Sequence, residues 1–265
     1  MSLSNSTDWN PGAYARFRGL RLRPALDLLA QVGALPAGDV VDLGCGDGAV
    51  AGALRMRFPA ARKGPSRRLI GVDNSAAMLA EARGYDATVE VSIAEWQPDT
   101  PPALIFSNAA LQWLGDHETL LPRLIGFLAP GGVLAVQMPR QIFAPSHRFL
   151  RDIAVAMFPE KFDFTGYRPP VAQAAEYYGM LCPWGKVNAW ETEYIQHLEP
   201  VIEGHPVRAF TASTAMRPIA DRLNGSELAK FLEAYDKALG AAYPVLPDGS
   251  ALMAFKRLFL TVQTA

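Results

Sequence analysis

The chain has 265 residues, half of them hydrophobic, and a formal net charge of −1. That length and apolar content suit one large domain with a sizeable cap, and the near-neutral charge gives no global electrostatic reason to bind nucleic acid. Cys45 and Cys182 form neither a metal-ligand spacing nor a disulfide framework, no apolar run reaches membrane length, and residues 1–20 lack a signal peptide's apolar centre, so a cytoplasmic protein with no membrane partner is expected.

Residues 1–7 are polar and expected to be disordered. Asp8-Trp9-Asn10-Pro11 then initiates a turn. Tyr14 and Phe17 follow on a segment carrying Arg16, Arg18, Arg21 and Arg23. That segment reads either as a solvated helix whose aromatics pack on the core or as a flap that closes over a ligand and turns arginines toward an anionic substrate. Pro24 to Val32 continues as helix.

Val40 to Gly48 reads V-V-D-L-G-C-G-D-G: an apolar run, then Gly44, Gly46 and Gly48, with Val50, Leu54 and Phe58 following at helical spacing. This is strand, glycine turn and helix, a cradle for a nucleotide-type cofactor. The dinucleotide fingerprint offers a helix N-terminus to a pyrophosphate, whereas here Asp42 and Asp47 border the turn and favour a cationic ligand. Asp42 to Gly48 resembles the first motif of class I S-adenosylmethionine-dependent methyltransferases, and the ammonium and sulfonium of that cofactor fit the sign.

Pro59 to Arg68 is a basic surface loop. Leu69 to Asp73 is the second buried strand, and its terminal acid reads either as the ribose ligand, next to Asn74, or as the cap of a helix over Ser75 to Arg83. Thr88 to Ile93 alternates as a third strand; the methyltransferase resemblance implies that Ser92 and Ile93 at its end lie beside the adenine, with Trp96 covering the ring edge or filling the core. Leu104 to Leu114 is a buried strand with a polar end, so Asn108, Gln112 and Trp113 face the crevice where open α/β sheets bind ligands. Leu120 to Leu128 is an amphipathic helix ended by Pro130-Gly131-Gly132, and Val133 to Met138 is the fifth strand of a doubly wound, Rossmann-like α/β fold.

Beyond it, Ser146 to Phe158 and Val171 to Met180 read as helices and Val187 to His197 as a strand. Pro200 to Leu223 is an interrupted helical region, Asn224 caps a helix with Leu228, Phe231, Leu232, Tyr235 and Leu239 inward, and Ala251 to Gln263 is the last strand. His147 and His197 are satisfied imidazoles with no partner spaced to make a catalytic pair.

Asp8-Trp9-Asn10-Pro11, Arg23-Pro24, Asn108 to Leu114, Val136-Gln137-Met138-Pro139, Ala215-Met216-Arg217-Pro218, Tyr243-Pro244 and Ala254 to Phe259 together resemble the trans-aconitate 2-methyltransferase family. The resemblance runs from about Asp8 to Val262. It implies a seven-stranded sheet in one methyltransferase domain over 1–265, with a helical cap from about 140–182 and 199–246. It also implies S-adenosylmethionine as cofactor and a small polycarboxylate acceptor; a monomer or weak homodimer is expected. Asp42, Gly44, Gly46, Asp73, Asn74, Ser92, Ile93, Asn108, Trp113 and Tyr14 are then expected to hold the cofactor. Arg217, Arg257 and Arg23 are the candidate carboxylate anchors, each with a structural ion pair as the alternative, and Gln112, Tyr194 and Thr214 are further donors. Ser92 stands where the family usually has Asp, and Arg140-Gln141 where it continues Asp-Asn. An ionised carboxylate nucleophile needs no general base and no metal, so no catalytic acid–base residue is assigned. The competing readings are a methyltransferase for another small acceptor and a non-catalytic cofactor-binding protein; the acids at the turn disfavour a nicotinamide dehydrogenase.

Overall fold

The computed structural model describes residues 18–60 and 67–265. A seven-stranded mixed sheet runs in the order β3-β2-β1-β4-β5-β7-β6. Its strands are β1 (Val40–Leu43), β2 (Leu69–Asp73), β3 (Ala87–Glu90), β4 (Leu104–Asn108), β5 (Val133–Pro139), β6 (Lys186–Leu198) and β7 (Ala251–Gln263). The helices are α1 (Arg18–Ala30), α2 (Ala51–Arg57), α3 (Ala76–Glu81), α4 (His117–Gly126), α5 (Pro145–Met157), α6 (Ala174–Leu181), α7 (Pro206–Ala212), α8 (Arg217–Ala220) and α9 (Gly225–Ala242).

The first five strands are parallel, with Asp42 of β1 opposite Gly71 of β2 and Phe106 of β4. Strands covered on both faces are mostly apolar, and β1 is buried at every position, Asp42 included, as is β5 at all but its last. The chain winds outward from β1 in both directions, so the strand order switches between β1 and β4. In such sheets the crevice opens at that switch, beyond the carboxyl ends of the strands.

The described chain gathers into two compact units. The first holds residues up to Pro139, Pro170–Glu191 and Leu258–Ala265. Its core includes Leu43, Val72, Ile105, Leu121, Leu134 and Leu260, and Trp190 stacks on Phe259 at 5.0 Å between ring centroids. The second holds Arg140–Pro169 and Thr192–Arg257. There Tyr235 donates its hydroxyl to the Ser146 carbonyl at 2.6 Å, and the Ser146 N–H donates to the Tyr243 oxygen at 3.1 Å. These bonds tie the first turn of α5 to α9. The Asn224 and Glu227 capping box opens α9, as the sequence predicts. Ala174–Leu181, placed with the cap by the sequence reading, lies in the first unit.

Several boundaries differ from the sequence reading. The third strand stops at Glu90 because the Ser92 carbonyl accepts the N–H groups of Glu95 and Trp96, turning the chain off the sheet edge. β4 ends at Asn108 and is followed by a separate 3₁₀ turn, Leu111–Trp113. The 200–223 region resolves into α7 and α8. Among the described residues, no helix is long and apolar enough to cross a membrane.

Candidate active site

The pocket is built outward from the turn after β1. Gly44 and Cys45 both donate their N–H groups to the Val72 carbonyl, at 2.7 and 2.9 Å, which lashes the turn to β2. Gly44 has φ +81°, and a Cβ placed there would meet the Ala110 Cβ at 2.2 Å. Only glycine therefore lets the turn lie against the end of β4.

Asp73, at the end of β2, is held by backbone: its Oδ2 accepts the Gly46 N–H and its Oδ1 the Ser75 N–H, each at 2.9 Å. The α3 cap is Ser75, whose hydroxyl accepts the Met78 N–H, so the cap reading of Asp73 is not realised. Each Asp73 oxygen keeps a second lone-pair site for a ligand hydroxyl. Asp42 is 2 % exposed and accepts the Tyr85 hydroxyl at 2.6 Å. Burial pushes its carboxyl up to about 7, with the Tyr85 bond lowering it and the neighbouring Asp73 charge raising it further. Burial likewise drives the Cys45 thiol far above the range where it ionises, so it is an inert wall.

Asp42, Gly44, Gly46, Asp73, Asn74, Ser92, Ile93, Asn108 and Trp113 all line one pocket, so nine of the expected cofactor residues are brought together. Tyr14 lies outside the described residues. Ser92 reaches the pocket from the loop beyond β3, where its hydroxyl accepts the Ala94 N–H at 3.3 Å. Trp96 is core: it is 4 % exposed and packs edge-on against Phe127 at 5.9 Å. Leu22, Met78, Ala109, Ala110 and Leu114 complete walls that were not singled out as ligand contacts, and Asp47 adds a third acid. Apolar wall positions carry no signal in sequence that separates them from core.

Two observations test the fit to a cationic nucleoside-type ligand. The lining contains three aspartates and, among the described residues, no Lys, Arg or His, which repels a pyrophosphate and attracts a cation. The Asn108 Oδ1 is buried with no hydrogen-bond partner among the described residues, an acceptor placed for a donor-bearing ligand. S-adenosylmethionine, with its ammonium, sulfonium and ribose hydroxyls, fits both.

The expected acceptor residues are more scattered. Arg23 does not line the pocket; its side chain is 77 % exposed on α1 and pairs with Asp27 at 4.0 Å, because an i,i+4 acid holds it on the solvent face. Gln112 donates its amide to the Ala109 carbonyl at 2.6 Å, and its Oε1 is buried without a partner among the described residues. In the second unit, Arg217 is half-buried at the start of α8, and its side chain has no partner among the described residues. Thr214 is half-buried, Tyr194 is buried, and Arg257 is 3 % exposed with its guanidinium 4.7 Å from the Phe255 ring centroid. Gln141, which stands where the family continues with Asn, donates to the Ala254 carbonyl at 2.6 Å and accepts the Lys256 N–H at 2.9 Å. Its amide is spent on the β7 backbone.

A doubly wound sheet of this order, with a glycine turn and an acid-lined cleft at its switch point, has the fold of the class I S-adenosylmethionine-dependent methyltransferases. Residues 14–193 match the family model for a methyltransferase domain. A phosphoethanolamine N-methyltransferase from Haemonchus contortus, solved with S-adenosyl-L-methionine, shares the fold at TM-score 0.52 and 15 % identity, over 92 % of this chain and 53 % of that one. Trans-aconitate 2-methyltransferase from Paracidovorax citrulli is 43 % identical over 97 % of this chain and 98 % of its own. The same enzyme from Variovorax paradoxus is also 43 % identical, with the same coverage. The chain belongs to the trans-aconitate 2-methyltransferase family.

Proposed function

We propose that the protein is a cytoplasmic S-adenosylmethionine-dependent O-methyltransferase that forms a methyl ester on one carboxylate of trans-aconitate. One observation carries the reading: the acid-bordered glycine pocket belongs to a chain 43 % identical, over 97 % of its length, to a trans-aconitate 2-methyltransferase. When bound, S-adenosylmethionine supplies an electrophilic methyl group on a sulfonium. Asp73, fixed by two backbone N–H groups, binds the ribose hydroxyls; Ile93 and Ser92 flank the adenine; and the Asn108 Oδ1 accepts from the ammonium. Trp113 and Leu114 give the cleft an apolar wall beside the cofactor.

The acceptor carboxylate is ionised at neutral pH, since such groups titrate near 4, so the protein has no proton to remove and works by holding the two reactants in line. The remaining carboxylates need a cation, and Arg217, half-buried and without a side-chain partner among the described residues, is assigned that task. Arg257, Gln112, Tyr194 and Thr214 supply further donors. The test is transfer of labelled methyl from S-adenosylmethionine to trans-aconitate, cis-aconitate, isocitrate and citrate in parallel. Preferential labelling of trans-aconitate is expected, and cofactor binding without labelling of any of the four would overturn the acceptor assignment.

A further inference from the structure

Tyr85, in the connection between α3 and β3, has no role in the reading above, yet its hydroxyl donates to Asp42 at 2.6 Å across 43 residues of sequence. The path between them is kept open by glycine. A Cβ at Gly71, the β2 neighbour of Asp42, would meet the Tyr85 ring and the Cys45 sulfur, each at 3.0 Å. Asp42 is the deepest acid of the pocket wall, and the groups that face it are Tyr85, Asp73 from β2 and Cys45 from the turn; Asp47 lies further along the same wall. None of these is a cation, so the Tyr85 hydroxyl is the group that stabilises a negative charge at that position.

We propose that Tyr85 is a positioning residue that keeps Asp42 ionised, and that Asp42 thereby senses ligand charge, favouring the cationic methyl donor over its neutral spent form. The proposal rests on the cofactor reading above. S-adenosylmethionine and S-adenosylhomocysteine share adenosine and the amino-acid zwitterion and differ by one methyl and one positive charge. A buried carboxylate in a site of low effective dielectric discriminates between them, whereas a neutral carboxyl does not. The consequence is release of the spent cofactor against a loaded pool of the donor.

The test is calorimetric binding of both ligands between pH 6 and 9, for the wild type, Tyr85→Phe and Asp42→Asn. The phenyl ring preserves the packing against Gly71 and removes only the hydroxyl. In the wild type the preference for S-adenosylmethionine should grow as pH rises through about 7, as Asp42 loses its proton. In Tyr85→Phe that rise should move up by about one pH unit, cutting the preference about three- to fivefold at pH 7.5 and leaving S-adenosylhomocysteine affinity less changed. Asp42→Asn should flatten the pH dependence. A wild-type affinity ratio and pH profile in Tyr85→Phe would overturn the proposal and leave the cofactor reading standing; a wild type that binds neither ligand would overturn both.

Discussion

Asp42 is costly to the fold when it is ionised. Its carboxyl, ordinarily at 3.8, is held up to about 7 by burial, so the folded chain binds that proton more tightly than the unfolded chain. A raised folded value means that Asp42 is least destabilising below pH 4 and takes stability away progressively as pH climbs to 7, where it ionises in the folded state. Asp42→Asn cannot ionise. Without ligand it should therefore melt several degrees above the wild type at pH 8 and show a smaller gain at pH 5, as thermal unfolding at the two pH values will show; equal shifts at both would place its effect in packing. Asp73 acts on the turn directly, through its bonds to the Gly46 and Ser75 N–H groups. Asp73→Ala should weaken S-adenosylmethionine binding at least about thirtyfold by calorimetry, and unchanged affinity would remove it from the site.

Among the elements, the 3₁₀ turn Leu111–Trp113 is held by a buried relay. The Leu111 carbonyl can only accept, so His117 must donate from Nε2 (3.0 Å) and accept the Tyr177 hydroxyl at Nδ1 (2.5 Å). Tyr177→Phe orphans that nitrogen. Hydrogen exchange at residues 111–114 should quicken and cofactor affinity fall a few-fold, whereas protection equal to the wild type would show that packing alone holds the turn. The relay also shows where sequence stops being informative. The β1 turn, the apolar strands and the Asn224 cap are legible because their determinants lie within a few residues of one another. The contact between Asp42 and Tyr85, the attachment of Gln141 to Ala254 across 113 residues and the burial of Trp96 are made through space. No local pattern announces them. Ser92 misleads for a related reason: its alternating neighbours read as strand, but β3 is a sheet edge, exposed along its whole length, and its pairing ends early. Arg23 takes its structural alternative, an ion pair, because a short match such as Arg23-Pro24 does not show which face of α1 the side chain takes.

In the whole molecule, the glycine pocket lies in the first compact unit and Arg217, the proposed anchor, in the second. Arg217→Ala should therefore raise the acceptor KM at least tenfold and leave S-adenosylmethionine affinity within about twofold, since a charge-assisted bond to a carboxylate carries about 1.5–3 kcal/mol. Equal loss of both would make Arg217 a structural residue. The central claim, ester formation on a carboxylate that needs no base, is tested most directly by the chemistry of the product. Purified enzyme, labelled S-adenosylmethionine and trans-aconitate should yield a product one methyl group heavier than the acid, its label released as methanol by mild alkali. A methylated product that keeps its label in alkali, or no methylated acid at all, would contradict it.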